Sequence, residues 1–155
     1  MIDLVLKIIP GILIATISLW LSTRWAIKKF YSEKWWYRKE TAYSEIINAL
    51  YDLILYFKVH KEDYGQGTGY SKEKEIELYQ NYINSYWALK KAIAIGSFYI
   101  SKKAQAILVN LDERDILDFH NNPSWDYYEK EFTDHQICLN ELIIIAKLDL
   151  KEHKI

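Results

Sequence analysis

Apolar positions along the chain change their spacing near residue 22. Leu4 to Leu21 read LVLKIIPGILIATISLWL, with Lys7 as the only charge and an uncharged run from Ile8 onward. Eighteen such residues approach the roughly 20 that a helix needs to span a bilayer. Lys7 would snorkel toward headgroups, and Pro10 lies near the start, where a missing N–H costs little. From Ser22 to His60 there is neither proline nor glycine. Apolar side chains recur there in threes and fours at Trp36, Tyr43, Ile46, Leu50, Leu53 and Phe57, with Lys39 filling one stripe position. This pattern predicts the apolar helix continuing unbroken into an amphipathic one. The polar loop from Gly65 to Gly69 ends it, and Ser71 is the expected N-cap of the next element.

A second helix is predicted over Lys72–Gly96, facing inward through Ile76, Tyr79, Ile83, Tyr86 and Ile93. Lys90 interrupts that stripe, and Tyr82, Leu89 and Ala92 form a second apolar edge. GSFYIS then breaks the pattern, with Gly96 as C-cap or bend and Ser101 as N-cap. A shorter helix is predicted from Lys102 to about Phe119, with Ala106, Val109 and Ile116 inward. After HNNPSW, Pro123 and Ser124 open a last helix carrying Trp125, Tyr128, Phe132, His135, Leu139, Leu142 and Ala146 at 3–4 spacing. The fold class expected is all-α: one N-terminal transmembrane helix (1–25) continuing into a cytoplasmic antiparallel bundle of about four helices (26–155). Its expected core includes Trp36, Tyr43, Ile46, Leu50, Tyr86, Trp125, Phe132, Leu139 and Leu142.

Charge sharpens the topology. The formal net charge is −1, so no global field marks a nucleic-acid binder. Arg24, Lys28, Lys29, Lys34, Arg38 and Lys39, however, crowd the C-terminal flank of the apolar run. The positive-inside rule then puts a very short N-terminus outside and the bulk of the chain in the cytoplasm. Trp20, Arg24, Trp25, Lys28 and Lys29 would sit at the inner interface, and the basic run could also meet anionic headgroups. A cleaved signal peptide would want a basic start, where the chain reads MIDLVLK. A core helix would leave the charge step unexplained, and an interfacial helix would need a polar face. Trp36 lies roughly 24 Å beyond Trp20 on a continuous helix, past the headgroups, which makes KWWYRK the base of the bundle. The 13 tyrosines and 6 tryptophans suit wide helix–helix contacts and wet–dry boundaries.

Candidate chemistry is sparse. Glu131 and His135 stand one turn apart, but the chain has neither Glu-x-x-His nor His-Glu-x-x-His, the helical metal motifs. His135 reads as a satisfied core histidine, and His60 and His153 as solvated. Cys138, the single cysteine, shows no adjacent base and reads as packing. GQGTG lacks the Lys-Ser/Thr of a phosphate loop. No catalytic residue, metal, cofactor, nucleic acid or small-molecule ligand is expected. The buried polar candidates are Lys39, Lys90, His135 and Asp149, the lysines pairing with acids such as Glu40, Glu141 or Asp149.

EKWWYRKETAYSEIINALYDL resembles the W-W-x-R-K-x-x-x-Y-x-x-I-x-x-A-L segment of small, uncharacterised bacterial membrane-anchored helical proteins. KKAIAIGSFYIS and IIIAKLDL resemble two further blocks, so the resemblance covers most of the chain. It carries no catalytic residues, and it implies a link to antiphage systems, beside which some one-anchor proteins of this design occur. The function expected is a non-enzymatic, membrane-anchored bundle acting through a protein partner or self-association. The alternatives are a membrane-disrupting effector and an enzyme or small-molecule sensor with a site inside the bundle.

Overall fold

The computed structural model describes residues 2–63, 67–95, 98–119 and 123–151, and for residues 2–10 and 12 the backbone alone. The expected roles of Lys7, Pro10, Gly65, Gly96 and His153 lie outside the described residues. The described residues form four helices and no strand: α1 (Ile2–Asp63), α2 (Lys72–Ile95), α3 (Lys102–Glu113) and α4 (Ser124–Lys151). Two compact units divide the chain, Met1–Tyr37 and Arg38–Ile155.

In the first unit, every described side chain from residue 13 to 35 is exposed, on all faces of α1. Its hydroxyls turn back onto the helix. Thr16 Oγ1 donates to the Leu13 carbonyl at 2.9 Å, and Ser22 Oγ and Thr23 Oγ1 donate to the Leu19 carbonyl at 2.9 and 2.8 Å. Trp36 belongs to this unit and is half-buried, so it is not the first core residue. The apolar pattern marks a face but not where neighbouring helices end. Among the described side chains, burial starts at Tyr43.

The second unit is an up-down-up-down bundle whose order follows from side-chain pairs. Asp52 accepts from Ser85 at 2.9 Å and Tyr56 stacks on Tyr82 at 4.2 Å, so α1 and α2 run antiparallel. Lys90 pairs with Asp112 and joins α2 to α3. Arg114 joins the end of α3 to Glu131 and Asp134 of α4. Lys61 with Glu129 at 2.8 Å, and Tyr43 with Asp149, close α4 onto α1. Leu50, Leu108 and Leu142 are fully buried at the centre; each such leucine contributes about 1.5–3 kcal/mol relative to an exposed one.

Local signals explain the boundaries. Ser71 and Ser101 cap α2 and α3 by accepting from Lys74 N at 3.4 Å and Ala104 N at 3.3 Å. The Pro123 carbonyl receives Tyr127 N at 3.2 Å, opening α4. Gly67 and Gly69 before α2 have φ of +90° and +70°, with open space where a Cβ would go. There the backbone conformation, and not crowding, calls for glycine.

Two helices depart from their predicted faces. α2 buries Leu78, Ser85 and Leu89, while Ile76, Tyr79 and Tyr86 are exposed. The inward face is the second apolar edge, with Leu89 buried and Tyr82 and Ala92 packed against the core. Ser85, satisfied by Asp52, sits in its middle, so apolar spacing ranks this edge second. α3 buries Ala104, Leu108 and Leu111, leaving Ala106 and Ile116 exposed. It stops at Glu113 rather than near Phe119, because Arg114 turns extended (φ −65°, ψ 158°) and reaches α4. Trp125, in the first turn of α4, is 40 % exposed, and Phe132 is half-buried against the core.

Tyr43 is the most deeply buried of the described tyrosines, at 1 % exposure. Its hydroxyl donates to Asp149, stands 3.4 Å from Ser101 Oγ and accepts from Ser101 N at 3.3 Å. Burial, and next the hydrogen bond to Asp149, push its pKa up to about 12. Tyr43→Phe should cost about 2 kcal/mol, the value of a hydrogen bond to a charged group, read as a lower urea midpoint at unchanged slope.

Candidate functional site

A cleft of about 260 Å³ lies within the bundle, lined mainly by α2, by the end of α3 with Ile116 just beyond it, and by α4. Its polar side chains come from places where the local sequence looks solvated. Lys90, in the last turns of α2, pairs with Asp112, and its ammonium stands 5.6 Å over the Tyr86 ring. The carboxylate, foremost by its hydrogen bond, raises the lysine pKa. Arg114 spends all three guanidinium nitrogens: Nη1 on the Leu111 carbonyl, Nη2 on Glu131 Oε2, and Nε on Asp134 Oδ2 at 2.9 Å. Lys130 shares Asp134 at 3.1 Å.

Glu131 is 4 % exposed. Among the described residues its Oε1 has no hydrogen-bond partner. Burial raises its pKa, and the nearby Arg114 guanidinium opposes the rise without cancelling it. One turn on, His135 is 6 % exposed and places Nδ1 2.7 Å from the Glu131 main-chain carbonyl. A carbonyl can only accept, so Nδ1 carries the proton and Nε2 is the acceptor nitrogen. Burial pushes the imidazole pKa down to about 4, so its 3.7 Å approach to Glu131 Oε2 is not an ion pair at neutral pH. Tyr82, Tyr86 and Tyr127 also line the cleft. Burial and then Glu131 hold Tyr127 up at about 12.

The arrangement favours holding a ligand over activating a nucleophile. The Cys138 thiol is buried and pushed up to about 12 by that burial, far from the thiolate that nucleophilic chemistry needs. Among the described residues no three His, Cys, Asp or Glu side chains stand close enough to hold a metal ion.

The residues singled out in the sequence separate into three groups. Lys39 finds Asp149 among its candidate partners, with Nζ 3.3 Å from the Asp149 carbonyl and 3.9 Å from Oδ2. Lys90 and His135 join the cleft, as does Tyr86, which is 37 % exposed and lines the cleft instead of filling the core. Tyr43, Ile46, Leu50, Leu139 and Leu142 are buried. Sequence reasoning missed Asp112 and Arg114, and noticed Glu131 only as a metal-ligand candidate one turn from His135. The signal was the LDERD run at the end of α3, a charge cluster beside an apolar face.

Trp20, Arg24, Trp25, Lys28 and Lys29 lie in the first unit, all exposed. The Arg24 guanidinium sits 4.8 Å over the Trp20 ring, and Lys29 is 3.8 Å from Glu33. Among the described residues no helix is long and apolar enough to cross a membrane; much of the Leu4–Leu21 run lies outside the described side chains. No protein-family model, curated protein or solved structure matches the chain.

Proposed function

We propose that the chain is a single-pass anchored bundle, held on the cytoplasmic face of a bacterial inner membrane and working by protein–protein contact instead of catalysis. The observation that carries this reading is the first unit. Leu13, Ile14, Ile17, Leu19 and Trp20 are 55–72 % exposed on every side of α1, which water disfavours and lipid accepts. The back-bonded hydroxyls of Thr16, Ser22 and Thr23 support it further, since polar groups in hydrocarbon must be satisfied within the helix. The basic flank supports the orientation. On α4, Ile137, Ile144 and Leu148 share one outward face at 52–61 % exposure, which supports a protein partner or a second copy.

The full chain expressed in bacteria should pellet with membranes and resist alkaline carbonate. Ile14→Lys with Ile17→Lys, each costing about 3 kcal/mol in mid-bilayer, should move it to the supernatant. Protease added to spheroplasts should leave the Arg38–Ile155 unit intact. Recovery of the unaltered chain in the supernatant overturns the anchor, and digestion from outside overturns the orientation. A detergent-solubilised chain of monomer mass that co-purifies with nothing overturns the contact role.

A further inference from the structure

We propose that α2 pairs with α2 of a second copy of this chain, side by side and in the same direction, along the helix face turned away from the bundle. This rests on the contact role proposed above and names its partner. The face carries Ile76, Gln80, Ile83, Trp87, Lys90 and Ala94, at alternating steps of four and three. Such spacing keeps one stripe of a helix against a neighbouring helix. The bundle buries a different stripe of α2, Leu78, Ser85 and Leu89. Ile76 and Trp87 are left 63 % and 65 % exposed.

Area sets the first condition. With Tyr79 and Tyr86 beside them, Ile76 and Trp87 expose roughly 400 Å² of side chain per copy, taking ~150–250 Å² for a whole aromatic. Two such patches with their polar margins come to about 1,200 Å², where specific interfaces begin. Trp87 is already steadied by Tyr86, edge to face with ring centroids 5.4 Å apart, so pairing costs it little freedom.

The margins set the partner and the direction. In a parallel pair a residue on one margin faces the residue five positions further along the partner's opposite margin. Lys72 then meets the partner's Glu77, Tyr79 the partner's Asn84, and Tyr86 the partner's Lys91, each twice by symmetry. These are an ion pair, a hydroxyl with an amide, and a ring with an ammonium. Within its own chain Glu77 is held by Lys74 at 2.9 Å, an exposed bridge that exchanges at small cost. Lys90 is the one charge on the stripe, and Asp112 neutralises it inside each copy. Gln80 supplies a polar position in the seam, which fixes register when the two amides meet. An antiparallel pair would join Glu77 to the partner's Lys91, but would carry Lys72 to the apolar last turn, residues 93–95. In the parallel pair both copies enter at the same end, as chains anchored in one membrane need.

The test is light scattering of the detergent-solubilised full chain over a dilution series. The natural chain should be dimeric. Ile76→Ser with Trp87→Ser, at sites exposed enough to leave the melting curve unmoved, should weaken the dimer at least tenfold. Ile137→Ser with Ile144→Ser on α4 should not. Lys72→Glu should weaken it several-fold, and Lys72→Glu with Glu77→Lys should restore it. On oxidation Gln80→Cys should cross-link to itself, as should Ala94→Cys, but not one to the other, since the two sites lie roughly 21 Å apart along a parallel pair. The natural chain, whose Cys138 is buried, should form no disulfide. A monomer at every concentration overturns the proposal; if that monomer still co-purifies with another protein, the contact role stands without it. A dimer that the α4 variant dissociates and the α2 variant does not, or a disulfide only between positions 80 and 94, overturns it as well.

Discussion

Arg114→Met should destabilise the bundle by about 3–5 kcal/mol, the cost of leaving one member of a buried ion pair uncompensated. Its guanidinium is the partner of Glu131 Oε2, in a carboxylate whose other oxygen has none. It also closes the end of α3 through the Leu111 carbonyl and holds Asp134. The double variant Arg114→Met with Glu131→Gln should recover much of the loss, because the stranded charge is gone. The pH response identifies the cause. Glu131 has a folded pKa above its ordinary 4.5. Between the two values the folded state binds more protons, so stability falls as pH rises through that window. Without Arg114 the folded pKa climbs further, so the single variant should regain stability on acidification toward pH 5. Urea midpoints at pH 5 and 7 read this directly. Equal losses at both pH values would assign the effect to packing.

The second large effect belongs to His135. Its pKa is about 4 in the fold against an ordinary 6.5, so between those values the unfolded chain binds the extra proton. Stability from this group is full above pH 6.5 and drains away as pH falls toward 4. The gap corresponds to about 3 kcal/mol. His135→Leu removes the titration while keeping an apolar body, and the Glu131 carbonyl remains a helical acceptor. Compared with the variant, the natural chain should therefore lose about 3 kcal/mol between pH 6.5 and 4. Glu131 is present in both and largely cancels in the difference. Parallel stability curves would mean that the imidazole is solvated.

Legibility in the sequence followed the chemistry of each buried face. The bundle portion of α1 and the C-terminal half of α4 could be read because their inward positions, Tyr43 through Phe57 and His135 through Ala146, are nearly all apolar at helical spacing. In α2 the inward face showed only as the secondary edge of Tyr82, Leu89 and Ala92, since Ser85 occupies its middle and Asp52, 33 positions earlier, makes that burial tolerable. The end of α3 was hidden for a related reason: nothing local stops the helix at Glu113, and the competing partners of Arg114 lie 17 and 20 residues away. The cleft was invisible because Asp112, Arg114 and Glu131 are ordinary surface residues until three helices bring them together. In the first unit the apolar run was plain in the sequence, and Trp36 was misplaced because periodicity has no endpoint.

Each seam of the bundle carries at least one polar tie, among them Asp52 with Ser85, Lys90 with Asp112, Arg114 with Glu131, and Asp149 with Tyr43. Apolar stripes alone would let the four helices wind in either sense, or slip by a turn, at little cost. A slip at any seam separates a paired donor and acceptor, at the greatest cost for the buried Arg114–Glu131 and Tyr43–Asp149 pairs, and the mirror arrangement parts them all. The ties thus act as an address code: each helix is told which neighbour to take, on which side and in what register, while the leucines say only that it should be inside.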